Sequence, residues 1–205
     1  MITGKQAIAR LIEGNHRFVS GVRSVANMVR PIHRRDIVED QAPFAIILGC
    51  SDSRVPAEIV FDQGLGDLFV IRVAGNIVAP SQVGSVEFAV EQFGTPLVVV
   101  LGHSMCGAVK ATLDAMERPS DQKSSNVLSI VNRIRPTIEI LRLTELRNDS
   151  EALLETAIRA NILASTNHLR HGSQMLEQMV QDDALTIVGA EYSLETGKVE
   201  FITDI

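Results

Sequence analysis

No tryptophan occurs in the 205 residues, and aromatic side chains make up only 4% of them. Any core must therefore rest on Val, Ile, Leu and Ala rather than on stacked rings. No apolar run approaches the ~18 residues that would read as a membrane-spanning helix. Basic residues are not in excess: the formal charge is −6, which argues against a nucleic-acid surface and gives no attraction to an anionic membrane. The opening Met1-Ile2-Thr3-Gly4-Lys5-Gln6 lacks the charged segment and apolar run of a secretory signal, so a cytoplasmic location is expected. Cysteine is scarce as well, with only Cys50 and Cys106. In a reducing compartment these thiols stay free, and reduced cysteines with a histidine nearby point to metal binding or catalysis rather than a disulfide. No repeat, low-complexity tract or linker divides the chain, and its length suits one domain over residues 1–205.

What is present is a series of short apolar runs. Phe44 to Gly49, Leu68 to Val73, Leu97 to Gly102 and Leu185 to Ala190 are rich in Val, Ile or Leu with little polar alternation. Strands covered on both faces of a parallel sheet read this way. Helical patterns lie between them: one capped by Ser81 and running to about Phe93, one from Cys106 to Met116, and two long amphipathic segments between Ser125 and Gln181. The break between those two falls at Asn148-Asp149-Ser150, with Ser150 as the expected cap. A turn at Glu195-Thr196-Gly197-Lys198 leads to Val199–Ile202, which should run antiparallel to the preceding strand as a hairpin edge. The class is α/β, a central mostly parallel sheet of about four strands with an antiparallel edge strand, flanked by helices. Before any strand, Ala7, Ile8, Leu11, Ile12 and Phe18 form a helical apolar stripe within residues 1–40. That arm either folds back on its own core or packs on a partner subunit.

Cys50 ends the first strand and His103 follows the third, so both arrive at the carboxyl edge of the sheet, where open α/β folds place their sites. Cys106 follows in His103-Ser104-Met105-Cys106-Gly107, close enough for one tight turn to present both side chains to one ion. It also opens a helix, whose dipole favours a thiolate. Two thiolates and an imidazole are a normal zinc set, and three protein ligands leave a fourth position open, as catalytic sites do. The plainer alternative is a buried cysteine acting as a small hydrophobe beside a chance His-x-x-Cys. Asp52 and Arg54 follow Cys50 on one side of an extended turn. Asp52 could close the site as a fourth ligand, or could be held by Arg54 and orient a water, or the two could be a surface ion pair.

Cys50-Ser-Asp-Ser-Arg-Val-Pro-Ala-Glu58, Gly66-Asp-Leu-Phe-Val70, Ala74-Gly-Asn76 and Gly102-His-Ser-Met-Cys-Gly107 together resemble the β-class carbonic anhydrases, with matching order from about Gly14 to Phe201. The resemblance implies one Zn2+ per chain on Cys50, His103 and Cys106, with Asp52 an added ligand in a closed form. It implies a catalytic dyad of Asp52 and Arg54, and substrate binding by Gln41, Phe69, Phe88 and the Gly107 backbone N–H. Phe88 stands where some members carry Tyr. The implied reaction is reversible hydration of CO2 to bicarbonate and a proton by zinc-bound hydroxide, rising toward alkaline pH. The implied assembly is a homodimer, with a homotetramer as the larger form, whose N-terminal helices cross to the neighbour. Two features depart from the pattern. Val73 replaces an Asn common in the Arg72–Asn76 loop, and Ile47 stands where members with a regulatory bicarbonate pocket have Trp, so that pocket is not expected.

Two other readings stay open at this point. One is a related zinc hydrolase acting on carbonyl sulfide or carbon disulfide, and the other a non-catalytic, zinc-stabilised bicarbonate sensor. His168 and His171, three apart on a helix, are most simply a solvated face, and His16 and His33 lack partners in sequence. Arg133, Arg135, Arg142 and Arg147 read as the solvated side of a helix. Gly102 to Gly107 lacks the Lys-Ser/Thr ending of a phosphate loop, which excludes that nucleotide-binding motif.

Overall fold

The apolar runs do form strands: β1 (Ala45–Gly49), β2 (Leu68–Arg72), β3 (Leu97–His103), β4 (Thr186–Tyr192) and β5 (Val199–Phe201). The computed structural model describes residues 2–22, 41–117 and 124–202. The strands make one sheet in the order β2-β1-β3-β4-β5. Its first four are parallel, and β5 pairs antiparallel with β4, Ala190 facing Phe201. Every residue of β1 and β3 is buried. Within β1 the side chains alternate between two cores, Ile46 and Leu48 on one face, Ala45 and Ile47 on the other. Both faces are covered, so an apolar residue is needed at each position and the usual in–out alternation disappears.

Helices α1 (Gly4–Val19) and α2 (Ala57–Val60) cover one face. The other carries α3 (Pro80–Phe93), α4 (Gly107–Glu117), α5 (Ser125–Ile138), α6 (Ser150–His171) and α7 (Gln174–Gln181). None of the described helices is long and apolar enough to cross a membrane. Several boundaries differ from the sequence reading. Helix α3 starts at Pro80 rather than being capped by Ser81; proline suits the first helical turn because its missing N–H has no partner there. Asp149, not Ser150, caps α6, accepting from the N–H groups of Glu151 and Ala152. The second long segment is two helices, because Gly172 ends α6 and Ser173 caps α7 by accepting from Leu176 N–H. Strand β4 runs on to Tyr192 because β3 pairs with it as far as His103.

Helix α1 packs on the sheet of its own chain. Thr3 and Gln6 form a capping box, and Ala7, Ile8 and Leu11 are buried in the core beneath β1 and β3. Asn15 fastens the helix to distant backbone: its Nδ2 donates to the carbonyls of Val60 and Gly197, and its Oδ1 accepts from Val199 N–H. Ile12 remains 37% exposed on the outer side. The rest of the 1–40 arm, His33 included, lies largely outside the described residues, as do 118–123 and 203–205.

The strand order has one consequence for function. The chain enters the sheet at β1, goes to one side for β2 and returns past β1 to β3. Connections leave β1 and β3 in opposite directions, opening a crevice beyond their carboxyl ends.

Candidate metal centre

Cys50 and His103 stand on either side of that crevice, at the ends of β1 and β3. Cys106 reaches it through a tight turn in which Met105 adopts φ 58°, a conformation uncommon for a residue with a side chain. Two hydrogen bonds hold the turn to the end of β4 and the residues just after it: Ser104 N–H donates to the Tyr192 carbonyl and Leu194 N–H to Ser104 Oγ, both at 2.9 Å. One ligand atom from each of Cys50, His103 and Cys106 lies within 4.8 Å of the others, and all three residues are buried.

The imidazole is oriented for coordination. His103 Nδ1 lies 2.9 Å from the Ser104 carbonyl, which can only accept, so Nδ1 carries the proton and Nε2 its lone pair. Nε2 is buried without a hydrogen-bond partner. Buried polar atoms are rarely left so, and one aimed at two sulfurs is what a metal ligand looks like. The donor set therefore fits a zinc ion: two soft thiolates and one imidazole.

The surroundings favour charge on sulfur. Gly75 N–H donates to Cys50 Sγ at 3.3 Å. The Cys50 thiol is held well below its ordinary pKa, chiefly by a hydrogen bond from Cys106, with the Gly75 N–H helping against burial. Cys106 is pushed up, first by that same hydrogen bond and then by burial, while the Val109 and Ala108 N–H groups opening α4 pull the other way. A cation between the two sulfurs would favour the thiolate form of both. Gly75 must be glycine: its φ is 70°, and a Cβ there would sit 2.9 Å from Ile134 Cδ1 and 3.0 Å from Ala108 Cβ.

Asp52 lies beside the cluster, its Oδ2 3.9 Å from His103 Nε2, and is not one of the three converging residues. Arg54 occupies both its oxygens, donating from Nε to Oδ1 at 2.9 Å and from Nη2 to Oδ2 at 2.8 Å. The Arg54 hydrogen bonds keep the carboxyl well below the usual carboxylate range. Sequence reasoning missed a second arginine. Arg72 donates from Nε to the Cys50 carbonyl at 3.0 Å and from Nη2 to the Asp52 carbonyl, pinning the backbone that carries both residues. Its position opening the Arg72–Asn76 loop was the available signal.

Gly107, the first residue of α4, follows Cys106 directly, and the space over its Cα is open. The other expected substrate residues are not at the metal cluster of the same chain. Phe69 pairs with Ile46, four residues before Cys50, so it stands about 13 Å back along the strands. Phe88 lies against Phe69, ring centroids 6.3 Å apart, and is 51% exposed. Gln41 precedes β1 at its opposite end from Cys50 and is exposed. His168 and His171 are exposed on α6, and His171 pairs with Glu177 at 3.0 Å rather than with its neighbour.

Residues 45–199 match the family model described as carbonic anhydrase. A carbonic anhydrase of Mycolicibacterium smegmatis is 39% identical over 197 residues, which take in 93% of this chain and 89% of that protein. Carbonic anhydrase 2 of Mycobacterium tuberculosis is 37% identical over 188 residues, 92% of this chain and 87% of that one. Among solved structures, the β-carbonic anhydrase CcaA is 27% identical with a TM-score of 0.75, covering 98% of this chain and 93% of its own. One of two tetrameric β-carbonic anhydrases from Sordaria macrospora shares the fold at 21% identity and a TM-score of 0.73, over 96% and 97% of the two chains.

Proposed function

This chain belongs to the β-class carbonic anhydrase family, and we propose that it catalyses the reversible hydration of carbon dioxide to bicarbonate and a proton, with zinc on Cys50, His103 and Cys106. The observation that carries the metal assignment is the buried, unpartnered Nε2 of His103 facing two sulfurs. When bound there, zinc supplies a Lewis acid that makes water acidic enough to be a nucleophile near neutral pH.

The protein's own groups do the positioning. Asp52 stays ionised because Arg54 grips both oxygens, so it offers an acceptor that takes a hydrogen bond from the attacking water and aims its lone pair at carbon. Arg72 keeps that acceptor at a fixed distance from the ligands through two backbone carbonyls. The Gly107 N–H lacks an intrahelical acceptor because it opens α4, and it can steady a substrate oxygen. Gln41, Phe69 and Phe88 complete the substrate pocket from a second copy of the chain, since they sit away from their own Cys50. The same reading keeps residues 1–205 as one domain, with the 1–40 arm touching the neighbour outside the α1 packing. It gives at least a homodimer, in the cytoplasm, where both thiols stay reduced.

Stopped-flow CO2 hydration, run beside elemental analysis for zinc, is the test. The native protein should carry one zinc per chain and turn over CO2, and His103→Asn should lose both. Native protein with zinc bound and no CO2 hydration at any pH would overturn the assignment.

A further inference from the structure

Ten arginines fall within the described residues, and seven have an acceptor for their guanidinium. Arg10, Arg17, Arg54 and Arg159 pair with carboxylates. Arg72, Arg133 and Arg170 donate to backbone carbonyls. The remaining three are Arg135, Arg142 and Arg147, and all line one cavity of about 630 Å3. Arg135 Nε is sealed from solvent there without any hydrogen-bond partner. Helix α4 starts beside Cys106 and reaches this cavity only in its last turn, from Ala115 on, so about 12 Å of helix separates it from the metal centre.

Helix dipoles explain only part of this arrangement. Arg135 in the last turn of α5 complements that helix's carbonyl end. Arg142 and Arg147 lie beyond it, in two short 3-10 turns whose residues are none of them buried, where packing does not demand their convergence. Glu117 and Glu139 also line the cavity, but neither forms an ion pair with these arginines among the described residues. The lining charge is thus only slightly positive. A diffuse field is not the feature on offer; three planar forks of N–H donors are, and such forks match oxyanions bidentately. Met116 and Leu153 give the cavity an apolar wall, and its volume falls within the range of small-molecule sites.

We infer that this cavity between α4, α5 and the 3-10 turns binds a small molecule bearing a phosphate or carboxylate group, held by Arg135, Arg142 and Arg147. Because recognition rests on forked hydrogen bonds rather than net charge, binding should persist in chloride.

The zinc-loaded full chain, 15N-labelled on arginine, is titrated with sodium phosphate and separately with citrate in about 0.15 M chloride. The Arg135 Nε–H resonance should shift with a Kd of about 1 mM or tighter for at least one of them. A response to both marks a general oxyanion site, and a response to citrate alone marks an organic polycarboxylate site; either supports the inference. Arg142→Gln and Arg147→Gln, both in the surface turns, should each weaken binding about tenfold. Arg133→Gln on α5, outside the cavity, should leave it unchanged. Arg135→Gln is a further variant, and the two turn variants carry the test if it does not fold. An unmoved Arg135 resonance with both probes overturns the site, as does equal affinity in the Arg142 and Arg133 variants. A change of oligomeric mass in the turn variants, with no anion effect, would assign the cavity to a second copy and likewise overturn it.

Discussion

Asp52 illustrates how neighbours constrain a side chain. A carboxylate beside a metal cluster could bind the ion, but its two oxygens are already engaged by Arg54 at 2.9 and 2.8 Å. Arg54 lowers the pKa of Asp52 in the folded state. A group depressed on folding contributes stability above its unfolded pKa of about 4, and loses that contribution as pH falls through the folded value. That contribution is therefore constant from about pH 6.5 to 9, and a rise of activity across that window cannot come from Asp52 losing a proton. The rate should climb through it as the nucleophilic water ionises, measured by stopped flow. Asp52→Asn should keep its zinc, by elemental analysis, yet lose roughly a hundredfold or more in kcat/KM, because the acceptor that aims the water is weakened. Retained activity in that variant would remove Asp52 from the mechanism.

Helix α1 offers a contrast between propensity and contact. Gly14 sits inside the helix, where replacing glycine by alanine ordinarily gains about 1 kcal/mol. A Cβ at this position would lie 1.8 Å from the Phe61 carbonyl oxygen, which is backbone and cannot turn aside. Gly14→Ala should therefore destabilise the protein by about 1–3 kcal/mol in urea unfolding. A gain in stability would show that α1 is not seated on α2 as described. The element boundaries repeat the theme. Strand cores were legible because burial on both faces leaves a local signature. The cap of α3 lies two residues before Ser81, where Pro80 opens the helix without any side-chain cap, and that of α6 one residue before Ser150, because Asp149 reaches the N–H groups of Glu151 and Ala152. The break at Gly172–Ser173 left no gap in the apolar pattern to betray it.

The assembled sheet holds its ligands together across strands distant in sequence, and a metal there should act as a cross-link. Binding to the folded state alone stabilises it by mass action. Removing zinc with a chelator should lower Tm by at least about 5 °C, recovered on adding zinc back. An unchanged Tm would mean the site contributes nothing to the fold. The exposed ring of Phe88, backed by the half-buried Phe69 and Phe93, lies on the surface proposed to meet a second copy. Phe88→Glu should shift the mass seen by light scattering downward and reduce CO2 hydration while leaving zinc content intact. Loss of zinc in that variant would instead place Phe88 in the support of its own metal centre.

Residue types and their local spacing were enough to read an α/β sheet and a Cys50–His103–Cys106 donor set, because buried strands and thiolate–imidazole chemistry are both written in short stretches. The motif resemblance added the reaction. Other features depend on contacts between residues far apart in the chain. Nothing local says that the α1 stripe meets β1 and β3, that Arg72 grips the Cys50 and Asp52 carbonyls, or that His103 Nε2 faces the sulfurs. Nor does any local pattern set Phe69 four residues back from Cys50 along the strands, which is a matter of β1–β2 register. Period and composition record which face of an element is buried; which partner buries it, and at what register, is settled only when the whole chain packs.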